Sequence, residues 1–134
     1  MQYLLDTNAV SDLIRRPQGL VMQRYALVER GAVCTSIIVA AELRFGAVRH
    51  GSERLLSRLV ELLEIIPAQP FETPADQTYA SVRAALESAG TPIRNNDLLI
   101  AAHALTLGCT VVTDNEREFR RVPGLRVENW LRAV

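Results

Sequence analysis

The strongest constraint on this 134-residue chain is the alternation of short apolar runs with longer stretches of helical character. "QYLL" (2–5), "AVCTS" (32–36), "IIPAQP" (65–70), "CTVVT" (109–113) and "LRVEN" (125–129) have the length and β-branched content of strands. Two prolines break the third run. Between them, residues 9–16 read as a helix stopped by Pro17, because the residue before proline disfavours helix. Residues 18–31 read as a helix closed by Gly31, 37–51 as one capped by Ser36 and punctuated by Gly51, and 52–64 as one with leucines at helical spacing. Residues 73–90 offer Thr73 as cap, Pro74 at the first helical position and Gly90 at the end. Residues 93–108 read as a helix N-capped by Asn95 or Asn96 and ended by Gly108. Strands that alternate with helices predict a three-layer α/β/α fold, with a central, mainly parallel sheet of four to five strands flanked by helices. Residues 1–134 are the length of one domain.

Composition narrows the chemistry. All 15 basic residues are arginine and none is lysine, which excludes a P-loop, Schiff-base catalysis and any phosphoaspartyl site that needs a lysine. Codon bias is the simplest cause of the missing lysine, and the exclusion holds whatever the cause. No apolar stretch approaches the roughly 18 residues of a membrane span, and Asp6 lies too near the start for a secretory signal. A cytoplasmic address without membrane contact is therefore expected. Cys34 and Cys109 sit in strand-like apolar contexts and read as small core residues.

Three carboxylates fall in telling places. Asp6 closes the first strand, and in a parallel sheet the crevice beyond the strand C-termini is the usual site; capping or turning the chain is its ordinary alternative. Asp97 lies in the first turn of a helix, where the dipole alone stabilises an acid by roughly 0.3–1 kcal/mol. Glu42 shares a helical stripe with Ile38, Ala41, Phe45 and Val48, and a carboxylate on an apolar face needs a cation such as Arg15, Arg44 or Arg94, or a shift to its neutral form. Asp114, with Thr113 and Asn115, follows another strand and opens on the same crevice. Four converging acids repel one another unless a cation lies between them, and all-oxygen ligands suit Mg²⁺ or Mn²⁺. Zinc is disfavoured, because neither His50 nor His103 has a partner at ligand spacing. His103 reads as a surface or packing residue.

The stretches "LLDTN", "AAELRFG", "NNDLLIAAHA" and "VVTDNEREF" resemble, in this order, the four motifs of PIN domains in the VapC toxin group of bacterial type II toxin–antitoxin systems, and the resemblance extends to the closing "VPGLRVENW". It implies a Mg²⁺- or Mn²⁺-dependent endoribonuclease that cleaves RNA, with tRNA or rRNA loops as the family's usual targets. It also implies a homodimer inactivated by a cognate VapB-like antitoxin, whose C-terminal tail covers the acidic cleft and through which operator DNA is reached indirectly. By position, Asp6, Glu42 and Asp97 match the three acidic sites, which the ion uses. The fourth is open between Asp114, one residue after the threonine, and Asn115, two after it. Thr7, Asn8, Thr113 and Asn115 would orient the acids by hydrogen bonds.

Setting the four candidate acids aside leaves 15 arginines against 11 acids, a surface net positive by four. Arg15, Arg16, Arg44, Arg49 and Arg94 are candidates to hold RNA phosphates, each with a solvated surface arginine as the plainer alternative. Aromatic residues make up 5% of the chain, so recognition by RNA shape and backbone is expected over base stacking. Two other enzyme classes compete. A phosphatase with Asp6 as nucleophile lacks the second aspartate of Asp-x-Asp, since Asn8 stands there, and a housekeeping RNA-processing PIN nuclease would have the same motifs. A catalytically silent binding module, with the acids serving only as caps, would not bind a divalent ion.

Overall fold

The computed structural model describes residues 1–132. Five strands form one sheet in the order β3-β2-β1-β4-β5, every neighbouring pair parallel. They are β1 (Tyr3–Leu5), β2 (Val33–Ser36), β3 (Ala68–Gln69), β4 (Thr110–Val112) and β5 (Val127–Glu128). The helices are α1 (Thr7–Arg15), α2 (Leu20–Tyr25), α3 (Ile37–Arg49), α4 (Glu53–Ile65), α5 (Ala75–Ser88), α6 (Asn95–Leu107) and α7 (Glu116–Phe119). The expected flanked parallel sheet is present, with the proline-broken third strand at one edge. No helix among the described residues is long and apolar enough to cross a membrane.

β1 is central because its apolar residues are covered on both faces, as parallel strands require. Leu4 and Leu5 are fully buried, as are Val111 and Val112 on the adjacent β4. Each such side chain contributes about 1.5–3 kcal/mol by leaving water. The chain winds from β1 to β2 and β3 on one side and resumes with β4 on the other. The order therefore reverses between β1 and β4, and the crevice of an open α/β sheet lies at that reversal, beyond the strand C-termini.

Cys34 and Cys109 are buried, as expected of core residues. Trp130 packs against the Tyr3 ring at 5.1 Å, lies under Arg24 at 5.6 Å, and donates its indole N–H to Glu128. These contacts hold the C-terminal segment against β1.

Several boundaries differ from the sequence expectation. α1 begins at Thr7, not at residue 9, because Asp6 itself caps it. The helix expected over 18–31 reduces to six residues, and Gly31 turns the chain into β2 with φ 85° instead of closing a helix. Neither Thr73 nor Asn95 nor Asn96 is a cap: Pro74 and Arg94 hold those positions without a side-chain cap bond. Ser36 caps α3 by accepting from the Ile38 N–H, and Gly108 ends α6 in the left-handed conformation, both as expected.

Candidate active site

Asp6 and Thr113 follow β1 and β4 directly, so the strand reversal brings them together. Asp6 is 3% exposed and its Oδ1 accepts the Ala9 N–H at 3.1 Å. Burial pushes its carboxyl from 3.8 up to about 7; the nearby Asp97 charge adds to this, while the Thr113 hydroxyl and the Ala9 and Asn8 N–H groups oppose it. A buried carboxylate with only neutral donors keeps its proton to near neutrality.

Thr7, the first residue of α1, donates its hydroxyl to Glu42 Oε1 at 2.6 Å. This bond ties α1 to α3 and fixes one Glu42 oxygen. Asn8 reaches the other way, its Oδ1 accepting the Asp114 N–H at 2.9 Å. Thr113 is fully buried, and its Oγ1 accepts the Asn115 N–H at 2.8 Å.

Asp97 lies in the first turn of α6 with its side chain 19% exposed. Burial raises its carboxyl from 3.8 to about 6, with Glu118 and then Glu42 adding to the shift; Arg94 and the Asn115 amide pull it down. The Asn115 amide donates to Asp97 at 3.2 Å and to Glu118 at 2.6 Å. Asn115 is thus the side chain that reaches the acids. Asp114 is exposed, and its Oδ1 accepts from the Asn129 amide at 3.1 Å instead. The cause is local: with the Asp114 N–H held by Asn8 and the Asn115 N–H by Thr113, it is the Asn115 side chain that turns toward α6.

Glu118 belongs to the same cluster and was not anticipated from the sequence. Burial alone would raise its carboxyl, but the Arg94 backbone N–H, the Asn115 amide and the Arg94 charge together hold it below its ordinary value. The available signal was its spacing of three residues from Asn115, one turn along α7.

The stripe argument for Glu42 does not survive. Phe45 and Val48 are 64% and 73% exposed and Ala41 is exposed, while Val39, Ala40 and Ala47 carry the buried face of α3. Glu42 is half-buried beside Thr7. The sequence periodicity identified an apolar face, but the opposite face packs.

Of the five candidate arginines, Arg94 alone has an ion pair with the acids, its Nε 3.5 Å from Glu118 and 3.9 Å from Asp97. Arg16 pairs with Asp12 at 3.1 Å. Arg15 and Arg16 lie at the far end of α1, roughly 13 Å from Asp6 by helical rise. Arg44 and Arg49 are exposed on α3. His103 is a packing residue: 1% exposed, its Nδ1 paired with Ser36 Oγ at 2.8 Å, its ring edge-on to Phe71, its pKa lowered by burial.

As the side chains stand, no three His, Cys, Asp or Glu groups among the described residues converge closely enough to cage an ion. Asp97 and Glu118 spend oxygens on Asn115 and Arg94, and Glu42 spends one on Thr7. The donor set nevertheless suits a hard cation. It is all oxygen, and burial raises both the Asp6 and the Asp97 carboxyls, so a bound cation would favour their ionised forms.

Comparison with known proteins agrees with this layout. Residues 3–125 match the PIN domain. Ribonuclease VapC2 of Rickettsia felis is 36% identical over 132 residues, covering 97% of this chain and 98% of that protein. The tRNA(fMet)-specific endonuclease VapC of Salmonella typhimurium is 34% identical over 131 residues, covering 97% and 98%. The crystal structure of VapBC2 from Rickettsia felis bound to a DNA fragment from their promoter superposes with a TM-score of 0.90 at 35% identity, over 97% of this chain and 99% of that one.

Proposed function

The chain belongs to the PIN-domain family, and on that premise we propose that it is the toxin of a bacterial type II toxin–antitoxin pair, a divalent-metal-dependent endoribonuclease neutralised by a cognate VapB-like antitoxin. The observation that carries the reading is the pair of carboxyls formed by Asp6, at the reversal of strand order, and Asp97, in the first turn of α6 and bridged to Glu118 by the Asn115 amide. Caps need no such pairing, which counts against a silent binding module. VapBC complexes among the chain's structural relatives favour a toxin over a housekeeping nuclease.

Asp6 and Asp97 would hold Mg²⁺ or Mn²⁺, with Glu118 beside Asp97. When bound, the ion lowers the pKa of a water and stabilises charge on the scissile phosphate. Glu42, with one oxygen fixed by Thr7, has the other free to orient an attacking water and take its proton. Water oxygen bonds to phosphorus, the bond from phosphorus to the 3′ oxygen breaks, and the departing oxygen is protonated by solvent. The products are a 5′-phosphate and a 3′-hydroxyl. Asn115 bridges Asp97 and Glu118 and sets their spacing. Asp114 takes no part. Loops of tRNA or rRNA are the substrate class, in the cytoplasm.

Two surfaces suit partners. A groove of about 290 Å³ between α1 and α4, lined by Leu13, Ile14, Pro17, Leu62 and Ile65 with Arg58 and Glu61 at its polar side, fits an amphipathic antitoxin segment. None of the site acids lines it. The exposed Ile37, Phe45 and Val48 of α3 fit a second copy of the chain. Operator DNA is reached through the antitoxin.

The test is to induce the chain, and its Asp6→Asn and Asp97→Asn variants, and to map new 5′-phosphate ends across cellular RNA. The native chain should generate a discrete set that both variants lose. Cleavage that persists in the variants would remove these acids from the chemistry.

A further inference from the structure

Arg94 is a poor residue for where it stands. It occupies the N-cap of α6 and makes no side-chain cap bond, whereas Ser, Asp or Asn there is worth about 0.5–2 kcal/mol over residues that cannot cap. A cation at a helix N-terminus also opposes the macrodipole. Elsewhere the chain follows the rule, with Arg15, Arg24 and Arg49 in the last turns of α1, α2 and α3. What the position offers Arg94 is the acid cluster. Its backbone N–H is accepted by Glu118 Oε1, and its Nε faces Glu118 Oε2 at 3.5 Å and Asp97 Oδ2 at 3.9 Å.

The two anchorages differ in strength. The backbone bond fixes the start of α6 to α7, while the guanidinium makes two long contacts through one nitrogen and remains 79% exposed. Neither contact has the short, paired geometry of a bidentate guanidinium–carboxylate bridge, so the bond to Glu118 is a weak one. A loosely paired, exposed guanidinium is released at little cost, and its preferred partner is a phosphate met through both Nη nitrogens.

We propose that Arg94 is the built-in counter-cation of the acid cluster, which a divalent ion displaces from Asp97 and Glu118, and that the freed guanidinium then holds an RNA phosphate beside the scissile one. This inference rests on the nuclease reading above. Ion binding and RNA binding are thereby coupled through one side chain. Before the ion arrives, Arg94 shields the acids from one another; afterwards it adds positive charge where the backbone of the RNA must approach.

The experiment uses the full chain with arginine-selective ¹⁵N labelling, the Arg94 Nε–H signal being assigned by its loss in Arg94→Gln. Titration with diamagnetic Mg²⁺ should move that signal toward the position of a solvated arginine, saturating with the calorimetric binding curve. Arg94→Gln, which keeps the backbone bond to Glu118, should bind Mn²⁺ about two- to five-fold more tightly, the scale of an exposed pair. On a Glu42→Gln background that spares the RNA, Arg94→Gln should lower the slope of log affinity against log salt by about 0.7, one phosphate contact on a single strand. If Mg²⁺ binds with a heat abolished by Asp97→Asn while the Arg94 signal stays still, the displacement is wrong and the nuclease reading stands. A moving signal with an unchanged salt slope overturns the phosphate half. Absence of any heat sensitive to Asp97→Asn removes the metal site, and the inference with it.

Discussion

Asp6 accepts the Ala9 N–H as the cap of α1 and also closes β1 at the crevice, so one carboxyl serves the local fold and the site. The cap does not need the charge, because asparagine caps as well as aspartate. The charge is costly there: burial holds the carboxyl at about 7 against 3.8. With its folded pKa raised, the stability contributed by neutral Asp6 is full below pH 3.8 and is lost as pH rises through 7. Asp6→Asn escapes that loss. In the absence of divalent ions it should be more stable than the native chain at pH 8 by on the order of 1–3 kcal/mol, and little different at pH 4, in urea unfolding. A native chain as stable as the variant at pH 8 would mean the carboxylate has a partner that the geometry lacks. The neighbouring choice between Asp114 and Asn115 separates in the same way. Asn115 bonds both Asp97 and Glu118 whereas Asp114 faces Asn129. Asn115→Ala should therefore cost about 10–100-fold in RNA cleavage, the scale for removing a partner that orients a ligand. Asp114→Ala should leave the rate within about two-fold, and a large loss there would reverse the assignment.

At the scale of elements, α3 shows how a correct residue can be chosen for an insufficient reason. Its buried face is Val39, Ala40 and Ala47, with Ile38 and Leu43 packed partly against the core, while Ile37, Phe45 and Val48 are exposed. Hydrophobic periodicity finds an apolar face but does not say whether the chain or another molecule covers it. The outward face predicts self-association. Phe45→Glu or Val48→Glu should shift the chain from dimer to monomer in light scattering while changing monomer stability by no more than about 0.5 kcal/mol, because the side chains pack against little in the monomer. A dimer unaffected by both changes would move the interface elsewhere. The same distinction sets what was legible in the sequence. Strand and helix alternation, the parallel sheet and the cap at Ser36 depend on local pattern and were read from it. Arg94 at the acids depends on how α6 meets α7, Glu118 offers only its spacing from Asn115, and the outward turn of Asp114 depends on the bond to Asn8, which only the folded chain supplies. Helix starts were misplaced where a backbone bond replaced the expected side-chain cap: Ala75 N–H reaches the Glu72 carbonyl, and α6 opens on Arg94.

For the whole molecule, the sheet reversal and the start of α6 place the buried Asp6 and the half-buried Asp97 where an ion would compete with protons, so metal binding, stability and pH are linked. Asp97 titrates near 6 and Asp6 near 7. An ion that requires both carboxylates must displace protons below these values and none well above them. At fixed concentration, the stabilisation by Mn²⁺ follows the ratio of ion to apparent dissociation constant, about 2.7 kcal/mol at a hundred-fold excess. The Mn²⁺-induced rise in Tm should therefore grow steeply from pH 5.5 to 7 and level off above pH 8. His103 affects the baseline in the opposite direction. Burial lowers its pKa from 6.5, so the stability of its neutral form is full above 6.5 and is lost as pH falls through the lowered value. That change occurs with and without the ion and cancels in the difference. Differential scanning fluorimetry of the native chain and Asp97→Asn across this range separates the two effects. The variant should retain the acid-side loss due to His103 and lose the Mn²⁺ increment. A Mn²⁺ increment equal at pH 5.5 and 8 would show that the ion binds groups already ionised at the lower pH, on the surface and away from the buried pair.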